Sequence, residues 1–233
     1  MNPFSLRYPG RFIVIGKDSD SFVAIYGATG RSPASLARHF VRDGGEVFMT
    51  AIDATVSKEK NPELFEYPAV KVFNNGVVVA NGTQIGNITE LQSRDARQQL
   101  SYAMSDEAYE PDENKTPSIT GCIVESGGKV DGALHIVRFA KDGIDHSSWS
   151  VPFESGRGLF ISTYEGEDTR PAASFAGNPL PVEIDFGSAK NAAKTLFEAF
   201  SPPPGAPDYR VGIVAAYKKL GEPPEIAIVN RIP

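Results

Sequence analysis

Three carboxylates and a phenol crowd one stretch of the chain, Tyr109-Glu110-Pro111-Asp112-Glu113-Asn114-Lys115-Thr116-Pro117. A carboxylate partly withdrawn from water in such a cluster keeps its proton to higher pH and can act as a general acid or base. A solvated acidic linker is the ordinary alternative. A second polar stretch, Gly27-Ala28-Thr29-Gly30-Arg31-Ser32-Pro33, invites comparison with a phosphate-cradling loop. The spacing fails, because two residues separate Gly27 from Gly30, whereas such a loop needs four between its glycines, followed by Lys and Ser or Thr. Arg31, Ser32 and Arg38 could still hold a phosphate through charge-assisted hydrogen bonds. The alternative is a surface turn with solvated arginines. Tyr67 could donate to a developing negative charge, although packing is the commoner fate of a tyrosine. Asn81 and Gly82, at the end of a hairpin strand, could present an amide and a close backbone to a ligand. Phe160-Ile161-Ser162-Thr163-Tyr164-Glu165 finishes an apolar strand in polar groups, as a pocket wall or a plain edge would.

The elements that must position these residues are mostly strands. Arg11 to Ile15 and Phe22 to Tyr26 flank the turn-forming Gly16-Lys17-Asp18-Ser19-Asp20, a hairpin pattern. Val47 to Ile52 is a further strand. Ala69 to Phe73 and Val77 to Ala80 flank Asn74-Asn75-Gly76, residues that tolerate the positive φ of a tight turn. Ile119 to Val124 pairs with Ala133 to Phe139, and Trp149 to Pro152, Leu159 to Tyr164, Tyr209 to Tyr217 and Glu225 to Asn230 continue the β pattern. Asn87-Ile88-Thr89-Glu90 has the form of a capping box and predicts a helix starting there. Ile88, Leu91, Ala96, Leu100 and Ala103 would line its apolar face, with Arg94, Asp95 and Gln98 opposite. Ser188 predicts the cap of a second helix, with Ala189, Ala192, Ala193, Leu196, Phe197 and Phe200 on one side and prolines ending it. Two helices with apolar stripes and roughly ten strands suit two stacked sheets. The expected fold is α+β, a four-layer α-β-β-α sandwich, as one domain over residues 1–233; a simpler α+β arrangement fits the same pattern.

The totals narrow the function. Of 233 residues, 41% are hydrophobic and 22% charged, the balance of a folded globular chain. No apolar run approaches the roughly 20 residues that span a bilayer, and no secretory leader is read, so a cytoplasmic location without membrane association is expected. The net charge of −6 argues against nucleic acid as a partner. Cys122 is the single cysteine, which excludes an intrachain disulfide and suits a small buried hydrophobe. His39, His135 and His146 lack ligand-like spacing, so no metal is expected.

Taken in order, Tyr8-Pro9-Gly10-Arg11, Phe22-Val23-Ala24 through Arg31-Ser32, Asn81-Gly82, Tyr109 to Pro117 and Ile161 to Glu165 resemble the archaeal-type inosine monophosphate (IMP) cyclohydrolases. The resemblance spans about residues 8 to 215, and its most specific parts are Tyr-Glu-x-Asp-Glu-x-x-Thr-Pro and Ile-Ser-Thr-Tyr-Glu. It implies a sandwich similar to the N-terminal nucleophile hydrolases, without their nucleophile, since the chain opens Met1-Asn2-Pro3. It also implies closure of 5-formamidoimidazole-4-carboxamide ribonucleotide to IMP and water, with no metal or organic cofactor, in a homo-oligomer. By motif position Glu110 resembles a proton-transfer carboxylate, with Tyr67 and Asn81 near the base and reacting carbonyl. Arg31 and Arg38 resemble phosphate-binding residues. Ser32, Gly82, Asp112, Glu113, Thr163, Tyr164 and Glu165 would line or support the substrate pocket. A noncatalytic purine-nucleotide-binding module on the same fold, or an amide hydrolase, are the alternatives.

Overall fold

The computed structural model describes residues 2–52, 64–92 and 95–232. Two antiparallel sheets dominate it. The first holds six strands in the order β11-β10-β1-β2-β12-β13: β1 is Arg11–Asp18, β2 Ser21–Thr29, β10 Arg157–Ser162, β11 Leu180–Glu183, β12 Arg210–Lys218 and β13 Glu225–Asn230. The second holds seven strands in sequence order: β3 Arg38–Asp43, β4 Glu46–Ala51, β5 Tyr67–Phe73, β6 Gly76–Ala80, β7 Ser118–Ser126, β8 Lys129–Ala140 and β9 Gly143–Ser150.

The central strands read as unbroken apolar runs because both of their faces are covered. In β1, Ile13 and Ile15 point toward the second sheet, while Phe12 and Val14 point the other way. In β6, Val77 and Val79 face the first sheet while Val78 and Ala80 face outward. The period of two therefore divides each strand between two cores. Between the sheets, Ile13, Tyr26, Met49, Val70, Val77, Ile123, Leu134 and Val214 form one continuous apolar layer. Burying such side chains stabilises the fold by roughly 1.5–3 kcal/mol each relative to leaving them in water.

One helix covers each outer face. Helix α3, Ala189–Ala199, packs Ala192, Ala193 and Leu196 on the first sheet, and its cap is the expected one, with Ser188 accepting from the Asn191 amide at 3.2 Å. Helix α2, Ala96–Ala103, sets Ala96 and Leu100 against the second sheet.

The start of α2 corrects the sequence expectation. After a 3-10 turn over Thr83–Asn87, residues 88–92 lie outside any helix, and α2 begins after Asp95, whose carboxylate accepts from the Gln98 amide at 2.8 Å. Ile88 and Leu91 reach the same apolar cluster as Leu100, but from outside the helix. The carbonyls of Ile88, Glu90 and Leu91 receive donors from Lys71, Gln99 and Asn75 at 3.2, 2.5 and 2.5 Å. Those side chains satisfy carbonyls that a helix would have satisfied from its own backbone. Arg94 lies outside the described residues.

Three further elements depart from the expectation. Strand β3 and the short helix α1, Pro33–Leu36, occupy a stretch to which the sequence pattern assigned no element, and β11 adds an edge strand. The β5–β6 turn consists of Asn74 and Asn75 alone, since Phe73 pairs with Gly76. Gly76 is required by close packing, because a Cβ there would strike the Ile123 carbonyl oxygen. Cys122 is buried in β7, and burial pushes its thiol well above the ordinary value.

Candidate active site

The first residue of β1 and the acidic segment meet at the floor of a cavity of about 660 Å³. Arg11 directs its Nη2 at both carboxylate oxygens of Glu110, at 3.0 Å each. Both side chains are about nine-tenths buried. Asn81, one residue past β6, donates through Nδ2 to Glu110 Oε1 at 2.9 Å and to the Pro117 carbonyl at 3.0 Å. Its Oδ1 accepts from the Ile119 amide at 2.7 Å and from Gln84 Nε2 at 2.9 Å. The amide is therefore held in one orientation, and it holds Glu110 in turn. The Glu110 amide donates to Thr116 O at 2.7 Å, closing the acidic segment into a loop.

Burial raises the Glu110 pKa from 4.5 to about 7; Arg11 pulls it down and Asp112 pushes it further up. Near neutral pH this carboxyl is thus present in both protonation states, as a residue that must take and return a proton requires. Arg38 is buried beside the same group, donating from Nε to Ser35 O at 3.0 Å and from Nη1 to Leu64 O at 3.5 Å. Burial, with Arg11 nearby, lowers the Arg38 pKa, and the surrounding Tyr67, Tyr26 and Glu110 oppose that shift. Behind the floor, the Tyr67 and Tyr26 hydroxyls share a 2.8 Å hydrogen bond, and burial raises the Tyr26 pKa well above its ordinary value.

A hydroxyl chain forms another wall. Tyr164 OH lies 2.6 Å from Thr116 Oγ1, which donates to Asp112 Oδ2 at 2.6 Å. Burial pushes the Tyr164 phenol up to about 12, so it remains a donor at neutral pH. Its ring stacks on Tyr8 at 5.4 Å, and the Arg31 guanidinium lies 4.1 Å over the Tyr8 ring. Arg31 Nη1 also donates to Asp168 Oδ1 at 3.1 Å and to Thr169 O at 2.6 Å. Tyr209 OH donates to Asp168 Oδ2 at 2.8 Å.

The protein-family comparison decides the kinship. Residues 8–219 match the model of the "IMP cyclohydrolase-like protein" family. The chain belongs to the IMP cyclohydrolase family. It is 30% identical over 194 residues to the IMP cyclohydrolase of Halobacterium salinarum, covering 82% of this chain and 85% of that one. To the IMP cyclohydrolase of Methanocaldococcus jannaschii it is 29% identical over 160 residues, 67% of this chain and 73% of that one. The Haloquadratum walsbyi IMP cyclohydrolase is 29% identical over 163 residues, covering 69% and 72%.

Within this family member, the cavity brings together Glu110, Asp112, Glu113, Tyr164, Arg31, Ser32 and Arg38 from the sequence reading. Asn81 joins them through Glu110. Ser32 has a second occupation, since its hydroxyl caps α1 by accepting from the Ser35 amide at 3.0 Å. Four others of the expected residues do not line the cavity. Tyr67 lies behind the floor; Gly82 caps the 3-10 turn; Thr163 accepts from the Arg11 amide at 3.1 Å; Glu165 is exposed, its amide bonded to Ala173 O at 3.0 Å. The sequence reading missed Arg11, Thr29, Asn114 and Arg170, which do line it. Arg11 carried a visible signal, a cation directly before the apolar run Phe12 to Ile15. Gly10, just before it, has φ +72°, and a Cβ there would strike Thr163 and Tyr164. Among the described residues, no group of three His, Cys, Asp or Glu could hold a metal ion. No described helix is long and apolar enough to cross a membrane.

Proposed function

We propose that this chain closes 5-formamidoimidazole-4-carboxamide ribonucleotide to IMP and water. The observation that carries this reading is Glu110, a buried carboxyl with a pKa of about 7, gripped by Arg11 and Asn81 at the floor of a cavity large enough for a nucleotide. The carboxamide nitrogen is a poor nucleophile because its lone pair is delocalised into its own carbonyl. Its neighbour, the formamide carbon, is already close, so the enzyme's contribution is orientation, proton transfer and stabilisation of negative charge. A C–N bond forms as the nitrogen loses a proton. The formyl oxygen, first an alkoxide, takes up that proton; the formamide nitrogen then gives up its own proton as the ring C=N bond forms, and the C–O bond breaks to release water. Glu110 takes the nitrogen proton and returns it to the departing oxygen. The buried cations Arg11 and Arg38 favour the oxyanion, in surroundings where charge is weakly screened. Glu113 and Asn114, on the cavity wall, offer acceptors suited to ribose hydroxyls. Tyr67 supports the reacting end from behind, through Tyr26 and the neighbouring arginines.

The two sheets with a helix on each outer face support a likeness to the N-terminal nucleophile hydrolase sandwich, built as one domain. Position one of β1 is here a cation, Arg11, bound to a carboxylate, which favours ring closure over amide hydrolysis by a strand-end nucleophile. We further infer a homo-oligomer that works in the cytoplasm without metal or organic cofactor. The test is conversion of the purified formamido ribonucleotide to IMP, followed by chromatography against the uncatalysed rate with chelator present. Conversion is expected; tight IMP binding without conversion would leave only a nucleotide-binding module.

A further inference from the structure

The four arginines lining the cavity differ in what they already hold. Arg11 is committed to both oxygens of Glu110. Arg38 is buried, bonded to two carbonyls, and lies in the field of Glu110, Arg11 and Tyr67, at the reacting end. Arg31 is paired with Asp168 and also tied to Thr169 O. A phosphate brought to Arg31 would therefore meet the Asp168 carboxylate as well. Arg170 follows Thr169 directly, lines the same cavity and is exposed. Among the described residues its guanidinium has no carboxylate or other acceptor. Its five donors and full charge are available to an anion.

We propose that Arg170 binds the 5′-phosphate of the substrate at the cavity mouth, and that Arg31 is a positioning residue. This rests on the ring-closure reading above. Arg31 clamps the segment carrying Arg170 at two consecutive residues, Asp168 and Thr169, and Tyr209 holds Asp168 from the other side. The Tyr8 ring lies under the Arg31 guanidinium and fixes its plane. The geometry presents one unspent planar fork at the rim, while the two most buried cations stay at the floor for the reacting atoms. An exposed guanidinium gives up little hydration on meeting a phosphate, whereas recruiting Arg31 would break a formed pair. Charge at the rim thus reads the phosphate, and charge at the floor serves the chemistry.

Calorimetric titration of IMP and of inosine, which lacks the phosphate, into the full chain tests this. R170Q weakens IMP binding by about tenfold to a hundredfold, the usual worth of hydrogen bonds to a charged group, and leaves inosine unchanged. R170K falls between, because it keeps the charge and loses the fork. In turnover, R170Q raises KM while kcat stays within a few-fold. R31Q weakens IMP in the wild-type background and adds nothing in the R170Q background, the signature of acting through Arg170. Equal loss for IMP and inosine, or no loss of either, overturns the assignment to Arg170. A full additional loss from R31Q in the double variant overturns the positioning role, because Arg31 would then touch the phosphate itself. A wild-type chain that neither binds nor forms IMP overturns the ring-closure reading and this proposal with it. Wild-type conversion beside an unaffected R170Q overturns this proposal alone.

Discussion

Replacing Glu110 with glutamine is the sharpest perturbation of the site, because it keeps the volume while removing the titratable group and the counter-charge of Arg11. In the wild type the carboxyl shifts from 4.5 to about 7 on folding, mainly through burial. The sign follows from proton binding: between those values the folded state holds a proton that the unfolded state has released. Stability therefore falls as pH rises through that window, and the full effect is about 3 kcal/mol. A glutamine cannot titrate, so Glu110→Gln should abolish this slope, beside a pH-independent loss from leaving the buried Arg11 without its counter-charge. Loss of a positioned general acid or base lowers the rate by about 10² to 10⁴. The wild-type kcat/KM should also show an inflection near pH 7 that the variant lacks. Denaturant titrations at pH 5, 6, 7 and 8, beside turnover over the same range, measure both. Substantial turnover with the inflection retained in the variant would refute the proton-transfer role; an unchanged stability slope would refute the burial argument.

Asn81→Asp replaces a donor to Glu110 with a second carboxylate, so the activity inflection should move above pH 7, read from the same profile. Tyr67→Phe leaves the Tyr26 hydroxyl buried without its partner, and denaturant midpoints should report a loss of about 1–3 kcal/mol. Gly10→Ala combines a backbone at φ +72° with a Cβ driven into Thr163 and Tyr164. Its melting temperature should fall by several degrees, with a loss of activity, because Arg11 follows directly.

Much of the candidate site's lining was legible because polar residues cluster locally. Glu110, Asp112 and Glu113 lie within four residues of each other, and Arg31 and Ser32 are adjacent, so composition alone marked both stretches. Arg170 was not legible, since nothing in Thr169-Arg170-Pro171 distinguishes a surface turn from a cavity rim. The start of α2 was misread because the capping-box pattern at Asn87 is local, whereas Lys71, Asn75 and Gln99 reach the carbonyls that follow it from elsewhere.

By itself the sequence determined the strands whose apolar runs demand burial on both faces, the Ser188 cap and apolar stripe of α3, and the family to which the motifs belong. The strands and the helix follow from residue type and short-range period, which a chain carries before it folds, and the family from the resemblance of its motifs. Tertiary structure alone decided which charges face one another. Arg11 and Glu110 are 99 positions apart, and Asn81 and Glu110 are 29 apart. Only the stacking of two sheets brings the start of β1, the end of β6 and the acidic loop to one buried floor. There the loss of water, which no local pattern encodes, turns an ordinary glutamate into one that titrates near neutrality.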